Sequence, residues 1–135
     1  MDLHASKELF HLELAVVIGL IQLIWATAAG SGGARDFPWL LGPRDDPRPV
    51  TGVYANRVAR ALQNFLDTFP IFAAALVGAI LAGKTGNLTY WGSGLYVIGR
   101  VLYAPLYALG IPVLRTLAWT AAMVGIVLIV VAYFQ

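Results

Sequence analysis

The sequence predicts an all-α integral membrane protein, a bundle of four transmembrane helices, and three observations predict it. Hydrophobic residues make up 59% of the 135-residue chain and charged residues 12%, where a soluble domain carries about 25% charged residues. Mean hydropathy is +0.75. The apolar residues fall into four runs, each close to the roughly 20 residues that a helix needs to cross the hydrocarbon core. A chain of this length reads as a single domain, 1–135.

The first run is about Leu9–Gly30. It follows a segment with Lys7 but also Asp2, Glu8 and Glu13, and no small-residue cleavage site follows promptly, so it reads as a retained span rather than a cleavable signal. The connection Ser31–Pro49 is rich in Gly, Pro, Arg and Asp and breaks the pattern strongly. The second helix runs from about Val53 to Ala82, with a polar face in its first half. A short break at Gly83–Asn87 leads to the third helix, about Leu88–Leu109. Gly110-Ile111-Pro112 is a tight turn into the fourth, about Val113–Phe134. Barrel strands would alternate over about 10 residues, and these runs are continuous, so helices are preferred. Pro70 and Pro105 are candidate kinks, and Gly92, Gly94 and Gly99 invite a close helix crossing.

Charge sets the expected orientation. Seven of the nine basic residues, Arg35, Arg44, Arg48, Arg57, Arg60, Arg100 and Arg115, fall toward one side, while Lys7 and Lys84 fall toward the other. Basic residues favour the cytoplasmic side. The Ser31–Pro49 loop and the Gly110–Pro112 turn are therefore expected in the cytoplasm and both termini in the periplasm, with a bacterial inner membrane as the expected location.

Two polar faces stand out. On the second helix Arg57, Arg60, Asn64 and Asp67 are spaced i, i+3, i+7 and i+10, within a sector of about 80° at 3.6 residues per turn. On the third, Tyr96, Arg100, Tyr103 and Tyr107 form one stripe, and Arg115 and Thr116 open the fourth. Charges within a membrane face a bundle interior or a wet cavity and find partners there. Asp67 is the one acid deep in the later spans, and Arg60 or Arg100 is its expected counter-ion. These residues form either a structural ion-pair network near the interface or a ligand site. Four arginines against one acid favour the second, an anion-accepting pocket, since guanidinium forks suit carboxylates and phosphates.

The stretch RVARALQNFLDTFPIF, Arg57 to Phe72, resembles the second-helix signature of the MAPEG family, the membrane-associated proteins in eicosanoid and glutathione metabolism: Arg57, Arg60, Ala61, Asn64 and Pro70 match, and Asp67 stands where the family has glutamate. GRVLYAPLYALGIPVLRT, Gly99 to Thr116, and the loop GPRDDP, Gly42 to Pro47, resemble bacterial members. The resemblance implies a homotrimer of four-helix bundles, with glutathione as co-substrate between neighbouring subunits near the cytoplasmic face. It implies glutathione contacts from Arg57, Arg60, Asn64, Asp67, Arg100, Tyr103 and Tyr107. It also implies a catalytic role for Arg115, which activates the thiol, beside Thr116 at the place of a family serine. The implied activity is that of a transferase or peroxidase acting on lipophilic electrophiles.

The sequence departs from the pattern at several positions. Gln63 and Tyr103 stand where some members carry arginine and histidine, Trp119 replaces a tyrosine, and the first span offers Gln22 where an arginine is common. These departures suit an alternative: a non-catalytic lipid-binding module, or an accessory subunit of a larger membrane complex. Membrane lipids are expected partners and nucleic acid is not. No cysteine is present, so no disulfide or thiolate chemistry belongs to the chain itself. His4 and His11 lie away from the arginines, and no metal site is expected.

Overall fold

A computed structural model describes residues 2–31 and 35–135; the part of the expected 31–49 loop at 32–34 lies outside the described residues. Five helices follow in order: α1 (Leu3–Gly30), α2 (Phe37–Leu41), α3 (Val53–Leu81), α4 (Asn87–Ala108) and α5 (Pro112–Phe134).

α1 begins well before the apolar run because Asp2 caps it, its carboxylate accepting the Ala5 N–H at 2.7 Å. Such a cap satisfies an otherwise orphaned donor of the first turn. That bond holds the exposed Asp2 carboxyl below its ordinary pKa. α2 lies inside the segment that sequence alone assigns to loop. Asp36 accepts the Trp39 N–H at 3.0 Å, and a proline sits in the first turn, where its missing N–H costs nothing. The α2 loop is tied locally: Trp39 donates its indole N–H to the Asp46 carbonyl at 2.7 Å, and Arg48 lies 3.2 Å from Asp46 and 3.6 Å from Asp36.

α3 buries one stripe, Ala55, Val58, Ala61, Phe65, Thr68, Phe72, Leu76 and Ala79, at helical spacing. It stops at Gly83, whose φ of 68° permits the pair of bonds Gly83 N–H to Ile80 O (3.1 Å) and Lys84 N–H to Ala79 O (2.9 Å). Gly110, φ 74°, ends α4 the same way, with its N–H on Tyr107 O and that of Ile111 on Leu106 O, both 3.0 Å. Pro112 then opens α5, so the expected turn is present.

α4 is the most buried helix and packs against the other long ones. Glycine lets it press on α5: a Cβ at Gly92 would come 2.6 Å from the Gly125 carbonyl oxygen, and one at Gly99 2.6 Å from that of Ala118. Gly94 is looser and faces His11. In the core Tyr96 stacks on Phe72 with ring centroids 3.9 Å apart, and its hydroxyl pairs with Thr68 at 3.0 Å. Near the N-terminus of α1, buried Glu8 accepts from Thr89, and His11 Nδ1 pairs with the Ser93 hydroxyl at 2.7 Å.

The molecule is thus an all-α membrane protein. Among the described residues three helices, α1, α3 and α5, are long and apolar enough to cross a membrane. α4, the third of the four spans expected from sequence, does not meet that standard. It carries Asn87, Thr89, Ser93 and Arg100 among three glycines and shows much of its surface to other helices rather than to lipid. At about 1.5 Å per residue its 22 residues still extend about 33 Å.

Candidate functional site

The second half of α4, the first turns of α5 and the middle of α3 meet near the α4–α5 turn. They enclose an open cavity of about 260 Å³ lined by Asn64, Tyr103, Tyr107, Arg115, Thr116 and Trp119. Helical spacing explains who faces it. Tyr103 and Tyr107 are i, i+4 on α4, and Arg115, Thr116 and Trp119 lie within one turn of α5.

Aromatic rings organise the cations. The Arg115 guanidinium lies 4.5 Å from the Tyr107 ring centroid, and Tyr103 and Tyr107 meet edge to face at 5.6 Å. Arg60 reaches across from α3: its Nε donates to the Tyr107 hydroxyl at 3.0 Å, with its guanidinium 5.7 Å from the same ring. Tyr107 thus holds two guanidiniums at the cavity rim, an arrangement that disperses their charge over a π face. Both remain accessible enough to accept an anion, Arg60 being exposed and Arg115 half-buried.

Arg100 is different. It is fully buried, stacks on Tyr103 at 4.4 Å, and donates through Nη1 to Asn64 Oδ1 at 2.8 Å. It supports the cavity wall through Asn64 and Tyr103 but lines a separate cavity on the α1 side. Arg57 packs its guanidinium on the α4–α5 turn, where a Cβ at Gly110 would meet it at 2.8 Å, and it does not line the cavity.

Asp67 corrects an expectation. It pairs with neither Arg60 nor Arg100. It is exposed and accepts from Gln63 Nε2 at 3.0 Å, one turn away on the same helix. Asn64 has taken the position facing Arg100, and Asp67, nearly a turn further along, points out of the bundle. Tyr96, placed by spacing on the Arg100 stripe, belongs instead to the core. Thr116 lines the cavity, yet its hydroxyl donates to the Pro112 carbonyl at 2.9 Å. Trp119 is the lining residue that spacing could have added, since it follows Arg115 by one helical turn.

In sum the rim offers two accessible guanidiniums, two phenols and an amide beside an indole, groups that fit an anionic ligand with an apolar part. No curated protein and no solved structure matches the chain. The model of the MAPEG family matches residues 11–134, nearly its whole length, and takes in every residue of the cavity. The chain belongs to the MAPEG family.

Proposed function

We propose that the protein is a glutathione-dependent membrane transferase or peroxidase acting on lipophilic electrophiles, with glutathione as co-substrate in the Asn64–Tyr107–Arg115 cavity. The observation that carries this reading is Arg115 held over Tyr107 at the mouth of that cavity, with Arg60 on the same phenol. Glutathione brings two carboxylates, an ammonium and a thiol. Arg60 and Arg115 suit its anionic groups, exposed Asp67 suits the ammonium, and a guanidinium beside sulfur favours the thiolate, the form that attacks an electrophile. The thiolate sulfur would bond to the electrophilic atom as the leaving group departs with the electron pair.

Arg60 and Asp67 face outward from the protomer, which suits a site completed by a second copy in a homotrimer. The cavity lies at the end of the bundle that carries the arginine-rich loop. By the charge rule that end, with residues 31–49, is cytoplasmic and both termini periplasmic, as in a bacterial inner membrane protein with α4 as a fourth span. Purified protein in detergent, given glutathione and a chromogenic aryl halide or a lipid hydroperoxide, should turn over. Arg115→Ala should lower the rate by about 10-fold or more, as when a charge-stabilising donor is removed. Absence of turnover with both electrophile classes would remove the catalytic reading.

Two hydrogen bonds favour a second reading. Thr116 donates its hydroxyl hydrogen bond to the Pro112 carbonyl, and Gln63 donates its amide N–H to Asp67, so neither is poised toward a ligand. This suits a non-catalytic lipid-binding module or an accessory subunit of a larger membrane complex. A stoichiometric protein partner on mild purification, with no glutathione turnover, would favour it.

A further inference from the structure

The segment GPRDDP, Gly42 to Pro47, takes no part in the Arg115 cavity. It borders a different one. Between the last turns of α1 and the α2 loop lies a hollow of about 180 Å³, walled by Thr27 and Gly30 on one side and by Arg35, Trp39 and Arg44 on the other.

Two guanidiniums line this hollow without an acid. Arg35 and Arg44 lie 5.3 and 5.4 Å from the ring centroid of Trp39, so one indole organises both. Arg35 donates through Nε to the Arg48 carbonyl at 2.6 Å. Arg44 donates through Nε and Nη2 to the Leu40 carbonyl, at 3.2 and 2.8 Å. The two Nη groups of Arg35 and Nη1 of Arg44 make no hydrogen bond among the described residues. The neighbouring acids are engaged elsewhere or point away. Asp36 and Asp46 lie 3.6 and 3.2 Å from Arg48, and exposed Asp45 forms no salt bridge among the described residues. The backbone adds a second sign. Arg44 is the one non-glycine among the described residues with a positive φ, 58°. That conformation costs free energy for a residue with a side chain, and such strain concentrates at ligand clamps.

Position and shape select the anion. α1 ends at Gly30, so the hollow lies where that helix leaves the hydrocarbon. Phe37 and Leu41, i and i+4 on α2, are exposed, and tryptophan favours the headgroup layer. The anion of that layer is phosphate. Its tetrahedral oxygens take N–H donors from two directions, as Arg35 and Arg44 supply them, whereas one guanidinium fork already satisfies a carboxylate.

We infer that the hollow is a phosphate site, in which Arg35 and Arg44 hold a phosphate group beside Trp39, with an anionic phospholipid of the surrounding leaflet as its source. Occupancy would fasten the α2 loop to the membrane surface. The inference is independent of what the Arg115 cavity binds.

Trp39 reports occupancy. A variant keeping only Trp39, with Trp25, Trp91 and Trp119 changed to Phe, is titrated in detergent with dihexanoyl phosphatidylglycerol while its emission is followed. Parallel titrations use dihexanoylglycerol, which lacks the phosphate, and inorganic phosphate. A saturable change is expected with the phospholipid, at least 10-fold tighter than with dihexanoylglycerol. Arg35→Gln and Arg44→Gln should each weaken it by about 10-fold, and Arg44→Lys, which keeps the charge but loses the fork, by less. Lys84→Gln removes the same charge at the other end of the bundle and should leave the affinity unchanged. Circular dichroism checks that each variant is folded. Inorganic phosphate that competes at equal affinity supports the site with free phosphate as its source, and phosphate that fails to compete supports it with the lipid. Equal affinity for dihexanoylglycerol, an affinity unchanged in both glutamine variants, or an equal loss in Lys84→Gln overturns the inference.

Discussion

Replacing Asn64 by leucine isolates the contact on which the cavity wall depends. Among the described residues Arg100 Nη1 to Asn64 Oδ1, 2.8 Å, is the one hydrogen bond of a guanidinium with no solvent exposure. A hydrogen bond to a charged group contributes about 1.5–3 kcal/mol, and stranding a buried charge costs at least as much. The Tyr103 ring at 4.4 Å remains in the variant and offsets part of the loss. The expected destabilisation of Asn64→Leu is therefore about 2 kcal/mol, roughly 30-fold in the folded-to-unfolded ratio. Arg100→Met should cost less, because half-buried Asn64 then turns to the open cavity. The double variant should be no less stable than Asn64→Leu alone, since no charge is left stranded. Reversible unfolding by SDS titration, followed by far-UV circular dichroism in mixed micelles, measures all three. A change within about 0.5 kcal/mol for Asn64→Leu, or strictly additive effects in the cycle, would refute the reasoning.

Three further outcomes follow from the packing. Gly92→Ala drives a methyl against the Gly125 carbonyl and should cost about 1–3 kcal/mol. Gly78→Ala meets open space and should be neutral or stabilising by up to about 1 kcal/mol; the same SDS titration compares them. Thr89→Val removes the donor to buried Glu8 and should cost about 1–3 kcal/mol, whereas Thr89→Ser, which keeps the hydroxyl, should stay near wild type in thermal unfolding. The chain has no cysteine, so Asp45→Cys, exposed on the α2 loop, gives a single label. A membrane-impermeant maleimide should miss it in intact cells and reach it after lysis, and labelling of intact cells would reverse the proposed orientation.

The helices were legible wherever apolar runs and turn chemistry agreed. Gly83 and the Gly110–Pro112 turn mark the ends of α3 and α4 because their positive φ angles and closing hydrogen bonds are local properties of the chain. The start of α1 was missed because a single capping side chain, Asp2, draws polar residues into the helix. α2 was missed because one turn of helix has no periodicity to read. The site was legible as residue types but not as partners. Spacing places Asp67 and Asn64 in one sector, yet only the crossing of α3 with α4 decides that Arg100 meets Asn64 and that Asp67 turns outward. Gln22 shows the same limit: one amide in an apolar run signals that something polar is needed, but not that Arg100 shares its cavity.

The proposed function stands on the cavity of Asn64, Tyr103, Tyr107 and Arg115 accepting glutathione. Isothermal titration of glutathione into the detergent-purified protein tests it most directly. Saturable binding is expected, weakening at least 10-fold in Arg115→Ala, a loss of about 1.4 kcal/mol. No binding heat, together with no thermal shift at saturating glutathione, or equal affinity in Arg115→Ala, would contradict it.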